Sequence, residues 1–159
     1  MDSPARSNER IVNAAVSIAV AGLVSSGHHW YGAIAYETPW RWIVSRWIPA
    51  VVAVVLLTLY LHWKHQATAV GRLAAWFVLV CGGFFWAGFT LFECGYSHVL
   101  KNILFYGGAS RATLEFLFPA PAYHLPDNVI FEITGLLQLV GFWAAWMAYR
   151  VFKERPIAA

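Results

Sequence analysis

Hydrophobic and polar positions fall into long blocks along this chain, not into short alternations. Four apolar blocks cover residues 11–35, 43–63, 73–106 and 128–152. A bilayer core about 30 Å thick needs roughly 20 apolar residues of helix to cross it. Each block therefore reads as a span. The expected fold is all-α: an integral membrane bundle of four transmembrane helices, one domain over residues 1–159. The first block is rich in Ala and Val, and Ser17 and Gly22 are small enough for close helix approach. It should end before Pro39, because the residue preceding proline avoids the helical region. Residues 40–47 read as interfacial, with Trp40, Trp42 and Trp47 around Arg41 and Arg46.

The third block is too long for a plain span. From Arg72 to Tyr106 an α-helix would extend roughly 50 Å against a hydrocarbon core of about 30 Å. It must tilt, break or protrude, and Gly82, Gly83, Gly88 and Gly95 are the weak points. Residues 107–127 form a long loop. A short interfacial helix fits residues 111–118, with Arg111 and Glu115 as a solvated pair, and Pro119, Pro121 and Pro126 exclude regular helix after it. Asp127 is the expected cap of the fourth span.

Composition agrees with the pattern. The chain is 60% hydrophobic and 12% charged, where soluble domains carry about 25% charged residues. Its net charge of +3 is small, and the positive residues sit at block ends, which fits topology and not nucleic-acid binding. Cys81 and Cys94 would lie about 20 Å apart on one helix, too far to bridge each other. No CxxC is present, which argues against thiol redox chemistry. The first block has no clear cleavage site and reads as retained, not as a signal peptide. Arg6, Arg10, Lys64, Arg72, Arg150, Lys153 and Arg155 fall on one side, against Arg41, Arg46, Lys101 and Arg111 on the other. The excess places both termini in the cytoplasm, in a bacterial inner membrane.

Candidate chemistry gathers at one depth. Counting ~1.5 Å per residue from the basic anchors puts His28, Arg46, Glu93 and Glu132 each about 27–31 Å away, near the far boundary of the hydrocarbon. His98, Asn102, His124, Asp127 and Asn128 lie just beyond that layer, and Trp30 and Tyr31 flank His28. Carboxylates at this depth are costly and mark a site by default. Glu93, His98 and Glu132 are the expected catalytic residues. His28, Trp30, Tyr31, Arg46, Asn102, His124, Asp127 and Asn128 are the expected orienting or substrate-binding ones. Plainer roles are available for their neighbours. His29 reads as a headgroup contact, Lys101 as a snorkelling cation, and His62 and His65 as residues of the opposite interface, where substitution should be nearly silent.

Two chemistries suit the layer. One is acid–base isomerisation of a hydrophobic small molecule or lipid, by double-bond shift, epoxide opening or cyclisation, which needs no cofactor. The other is metal or haem binding, with His28, His98, His124, Glu93 and Glu132 as the donors available. No HxxxH or ExxH spacing occurs, so the di-iron bundle pattern is not met. A non-catalytic accessory subunit of a membrane complex is a third class. Four short-loop spans would shield the polar layer poorly alone, so a homo-oligomer is expected.

The run Cys94-Gly95-Tyr96-Ser97-His98, followed by Asp127-Asn128 and then Glu132 and Thr134, resembles the sterol-isomerase and emopamil-binding (EXPERA) family. Asn102 stands where that family carries an acid. The resemblance implies a small helical membrane bundle and sterol double-bond isomerisation through a protonating acid and a carbocation. It implies His98 and Glu132 in the matching roles.

Overall fold

The computed structural model describes residues 4–154. Four helices are long and apolar enough to cross a membrane: Arg6–Ala35, Pro39–Lys64, Ala69–Tyr106 and Val129–Lys153. The protein is an all-α integral membrane bundle, and the described residues contain no strand. We label these spans α1, α2, α3 and α5, and the short helix Arg111–Leu117 α4. Arg155, one of the expected basic anchors, lies outside the described residues.

Burial is arranged for lipid. Leu23, Leu73, Phe84 and Leu91 are largely exposed on the outside of the bundle. In the centre Ala14, Ser17, Ile18, Ala21, Val55, Ala144 and Ala148 are buried together with the larger Trp86 and Leu59. Small residues let helix backbones approach where no water drives association. The Ser17 hydroxyl returns its proton to the Ala14 carbonyl at 2.9 Å and so costs nothing at this depth.

The two ends of the bundle are held differently. At one end, the terminal end, Trp63 donates to Asn8 at 2.9 Å and Gln66 to Ser7 at 3.1 Å. Arg10 pairs with Glu154 at 2.5 Å. His62, expected to be a silent interface residue, is instead buried, with Nδ1 2.8 Å from the Gly71 carbonyl. That bond ties α2 to the start of α3. Gly71 is required there, since a Cβ would come within 2.0 Å of the His65 carbonyl oxygen.

At the other end, the loop end, the tight turn between α1 and α2 meets residues 107–128. The expected interfacial stretch 40–47 is the first two turns of α2, which begins at Pro39 with proline at its first position. Expected short helix 111–118 is α4, capped by Ser110, whose hydroxyl accepts from the Thr113 N–H at 3.2 Å. The Tyr96 hydroxyl donates to the Leu117 carbonyl and Phe118 packs on Tyr96 and Tyr123, so the proline-rich loop folds back over the spans.

The overlong third span does not break and runs as one helix over Ala69–Tyr106. It changes winding twice, with π-helix over Val78–Phe84 and Leu91–Leu100 between α-helical stretches. Gly82, Gly83 and Gly95 lie inside these segments, and Gly88 lies in the α-helical turn between them. Each π turn packs more residues per turn and rotates all that follows. The second one carries Glu93, Ser97 and His98, and such segments are frequent at functional sites.

Candidate functional site

The π segment of α3, the first turns of α5 and the end of α1 converge at the loop end. His98 is buried and its Nδ1 stands 2.9 Å from Glu132 Oε2. Asn102, one turn on, donates to the same oxygen at 2.6 Å. Lys101 is buried and meets Glu132 Oε1 at 2.7 Å, and its ammonium also contacts Asp127. The sequence expectation of a snorkelling lysine is thus overturned. Two carboxylates close on this ammonium, because an unpaired buried cation would be far more costly than any gain from reaching headgroups.

Gly135 is what lets α5 come this near. A Cβ there would fall 2.2 Å from His98 Nε2. Asp127 is not the cap of α5, as the sequence suggested. That place belongs to Asn128, whose side-chain oxygen accepts from the N–H groups of Ile130 and Phe131 at 2.8 and 3.4 Å. Asp127 is released to serve Lys101 and accepts from the Tyr36 hydroxyl at 2.5 Å. Burial and then that bond to Asp127 push the Tyr36 hydroxyl well above its ordinary pKa, so it stays a donor. Burial likewise raises Tyr123, whose hydroxyl lies 3.4 Å from Ser97.

His28 meets the cluster from α1. Its Nδ1 lies 3.0 Å from Thr134 Oγ1, its ring stacks on Phe131, and its Nε2 is 3.3 Å from His98 Nε2. His29, expected among headgroups, is buried instead. Its Nδ1 bonds the Ser25 carbonyl at 2.9 Å and its Nε2 lies 3.7 Å from Glu93 Oε1. The ring faces inward, edge-on to Trp40 and beside Phe89.

The expected orienting residues divide. Asn102, Asp127 and Asn128 join the network, and Tyr31 donates to Asn128 at 3.0 Å. His124 stacks on Tyr36 at 4.1 Å and stands outside the cluster. Trp30 is exposed and edges onto Trp42. Arg46 does not enter the layer at all; it is exposed and lies over Trp42, 5.9 Å from the ring. The guanidinium at the site is that of Arg41, which donates to the Ala122 carbonyl at 2.9 Å and faces Tyr36, Trp40 and Phe131. Counting from Lys64 treated all of α2 as one straight rod and could not say which arginine faced inward. Thr134, two residues past Glu132, carried no signal beyond its place in the family resemblance.

Between these groups lies a cavity of about 350 Å³. His28, His98, Glu93, Lys101 and Asp127 give it a polar floor, and Trp40, Phe92, Tyr123 and Phe131 give it aromatic walls. Trp40 and Phe92 are also exposed on the outside of the bundle. Glu132 and Asp127 are engaged by Lys101, whereas the nearest polar partner of Glu93 is His29 at 3.7 Å. No family model, curated protein or solved structure matches the chain.

Proposed function

We propose that this protein is a membrane enzyme that takes a hydrophobic small molecule from the bilayer and isomerises it in the loop-end cavity. The observation that carries this reading is the cavity's composition. Its walls include two aromatic residues that also face lipid, and its floor holds three imidazoles, Arg41, Lys101 and a carboxylate, Glu93, that forms no ion pair with lysine or arginine among the described residues. An apolar body would lie along Trp40, Phe92 and Phe131, with its reacting end at His28, His98 and Glu93. Aromatic faces also stabilise cationic character in such a body. Double-bond shift, epoxide opening and cyclisation all need only these elements. The resemblance of residues 94–98 and 127–134 to the sterol-isomerase family favours the double-bond shift. His98 and Glu132, bonded to each other, occupy the matching positions.

In this reading the protein lies in a bacterial inner membrane, with its termini in the cytoplasm and the cavity at the outer leaflet. It works as a homo-oligomer. Support comes from the basic residues near the terminal end, among them Arg6, Arg10, Lys64, Arg72, Arg150 and Lys153.

The test is solvent-proton exchange. Protein in vesicles made with D2O is given a panel of unsaturated sterols and terpenoids, and the recovered lipids are examined by mass spectrometry. Deuterium at an allylic carbon is expected with the wild type and is expected to fall by about 10²–10⁴-fold in Glu93→Gln. A panel in which no member exchanges above protein-free vesicles would overturn the isomerase reading.

A further inference from the structure

We propose that His28, His98 and Glu93 hold a four-coordinate divalent metal ion of the zinc class, with its fourth position open to the cavity. The argument starts from which ring nitrogens carry hydrogens. His98 Nδ1 faces Glu132, a carboxylate that also receives Lys101 and Asn102 and so acts as an acceptor. Nδ1 of His98 therefore donates. His28 Nδ1 faces the Thr134 hydroxyl, whose proton has the carbonyls of Ile130 at 2.9 Å and Phe131 at 3.1 Å as acceptors within its own helix. Thr134 Oγ1 is left as an acceptor, so His28 Nδ1 donates as well.

With both Nδ1 atoms donating, the two Nε2 atoms face each other at 3.3 Å. Two facing lone pairs need a cation between them. Nitrogens bound to one tetrahedral ion at ~2.05 Å stand about 3.3 Å apart, which is the observed separation. A proton held on one Nε2 also spans this distance, and a metal ion must displace it to bind. Glu93 completes the set, since ligand atoms of His28, Glu93 and His98 all lie within 4.8 Å of one another. Among the described residues its carboxylate forms an ion pair with His29 alone, at 3.7 Å.

The surroundings match what metal-bound histidines require. Each ring's other nitrogen is fixed by an oxygen, Glu132 for His98 and Thr134 for His28. Glu132 is thus an outer carboxylate and not a ligand. His124, stacked on Tyr36, does not line the cavity. A porphyrin has no room between two nitrogens this close, so these two rings do not form a bis-histidine haem site. Two imidazoles and one carboxylate leave the fourth tetrahedral position for water or a substrate oxygen, where the ion acts as a Lewis acid. Only this last use rests on the isomerase reading; the ion's residence does not.

The experiment is cobalt titration of the full chain, purified without a polyhistidine tag, stripped with chelator and kept in detergent. The wild type is expected to bind about one cobalt per chain, with the intense visible bands of a tetrahedral site. His28→Gln and His98→Gln should abolish the bands, and Thr134→Val should weaken binding by about 10–100-fold. Bands absent from the wild type would overturn the proposal, whether or not the variants fold. So would bands that persist at full affinity in His28→Gln, because the ion would then sit elsewhere. Deuterium exchange that survives complete stripping would overturn the ion's Lewis-acid role and leave the isomerase reading standing. Bound cobalt without exchange on any substrate would overturn the isomerase reading and leave the ion's residence standing.

Discussion

Buried histidines hold both ends of this bundle, yet they are used differently. At the terminal end His62 spends its one recorded bond on the backbone carbonyl of Gly71, and the ion pairs around it join Arg10, Arg150 and Glu154 near the helix termini. These groups close on neighbours. At the loop end His28 and His98 each fix one ring nitrogen and turn the other toward a shared space. Polar residues in a membrane protein are costly at either place. The number of buried polar groups does not separate a clamp from a site. The separation comes from whether the groups are used up on each other or leave some capacity facing a void.

Lys101 gives the largest expected effect. Lys101→Met would leave Asp127 and Glu132 facing each other without their cation. Unfolding stability in detergent should drop by about 3–5 kcal/mol. A loss below about 1 kcal/mol would mean that water reaches these carboxylates and that the loop end is not a closed network.

Gly71→Ala and Gly135→Ala set the two ends against each other. The first drives a Cβ into the His65 backbone and the second into the His98 ring. Both should cost about 1–3 kcal/mol by crowding. They should differ in cobalt binding, which Gly71→Ala keeps and Gly135→Ala loses. Equal cobalt affinity in the two variants would erase the contrast.

His62→Ala comes next. Loss of its bond to Gly71 should lower stability by about 1–2 kcal/mol while cobalt titration and deuterium exchange stay at wild-type levels. The exposed Arg111–Glu115 pair should matter least, and Arg111→Ala should leave the thermal midpoint unchanged.

The spans were legible because a bilayer imposes block lengths that hydropathy reports directly. Short helix 111–118 was legible from the same polar punctuation that defines the loop. Side-chain direction was not. Depth counting brought His28, Glu93 and Glu132 to one level, but it gave Arg46 the place that Arg41 takes, because a rise per residue says nothing about azimuth. Two π segments add to that blindness: each rotates the remainder of α3, and residue spacing alone does not show where the rotation occurs. Lys101 and His29 were misread for a related reason. A cation or imidazole near a span's end looks free to reach headgroups, and only the folded bundle shows Lys101 and His29 buried against carboxylates.

The central claim is that Glu93 is kept for what it does in the cavity and not for what it holds together. Glu93→Gln removes the charge and keeps the shape, so the chemical unfolding of metal-stripped wild type and variant measures that claim without a substrate. A group retained for function at a cost in stability should cost nothing to neutralise, and the variant is predicted to be as stable as the wild type or more stable by up to about 1 kcal/mol. A loss of about 2 kcal/mol or more, approaching that of Lys101→Met, would show that Glu93 locks the bundle and would contradict the account.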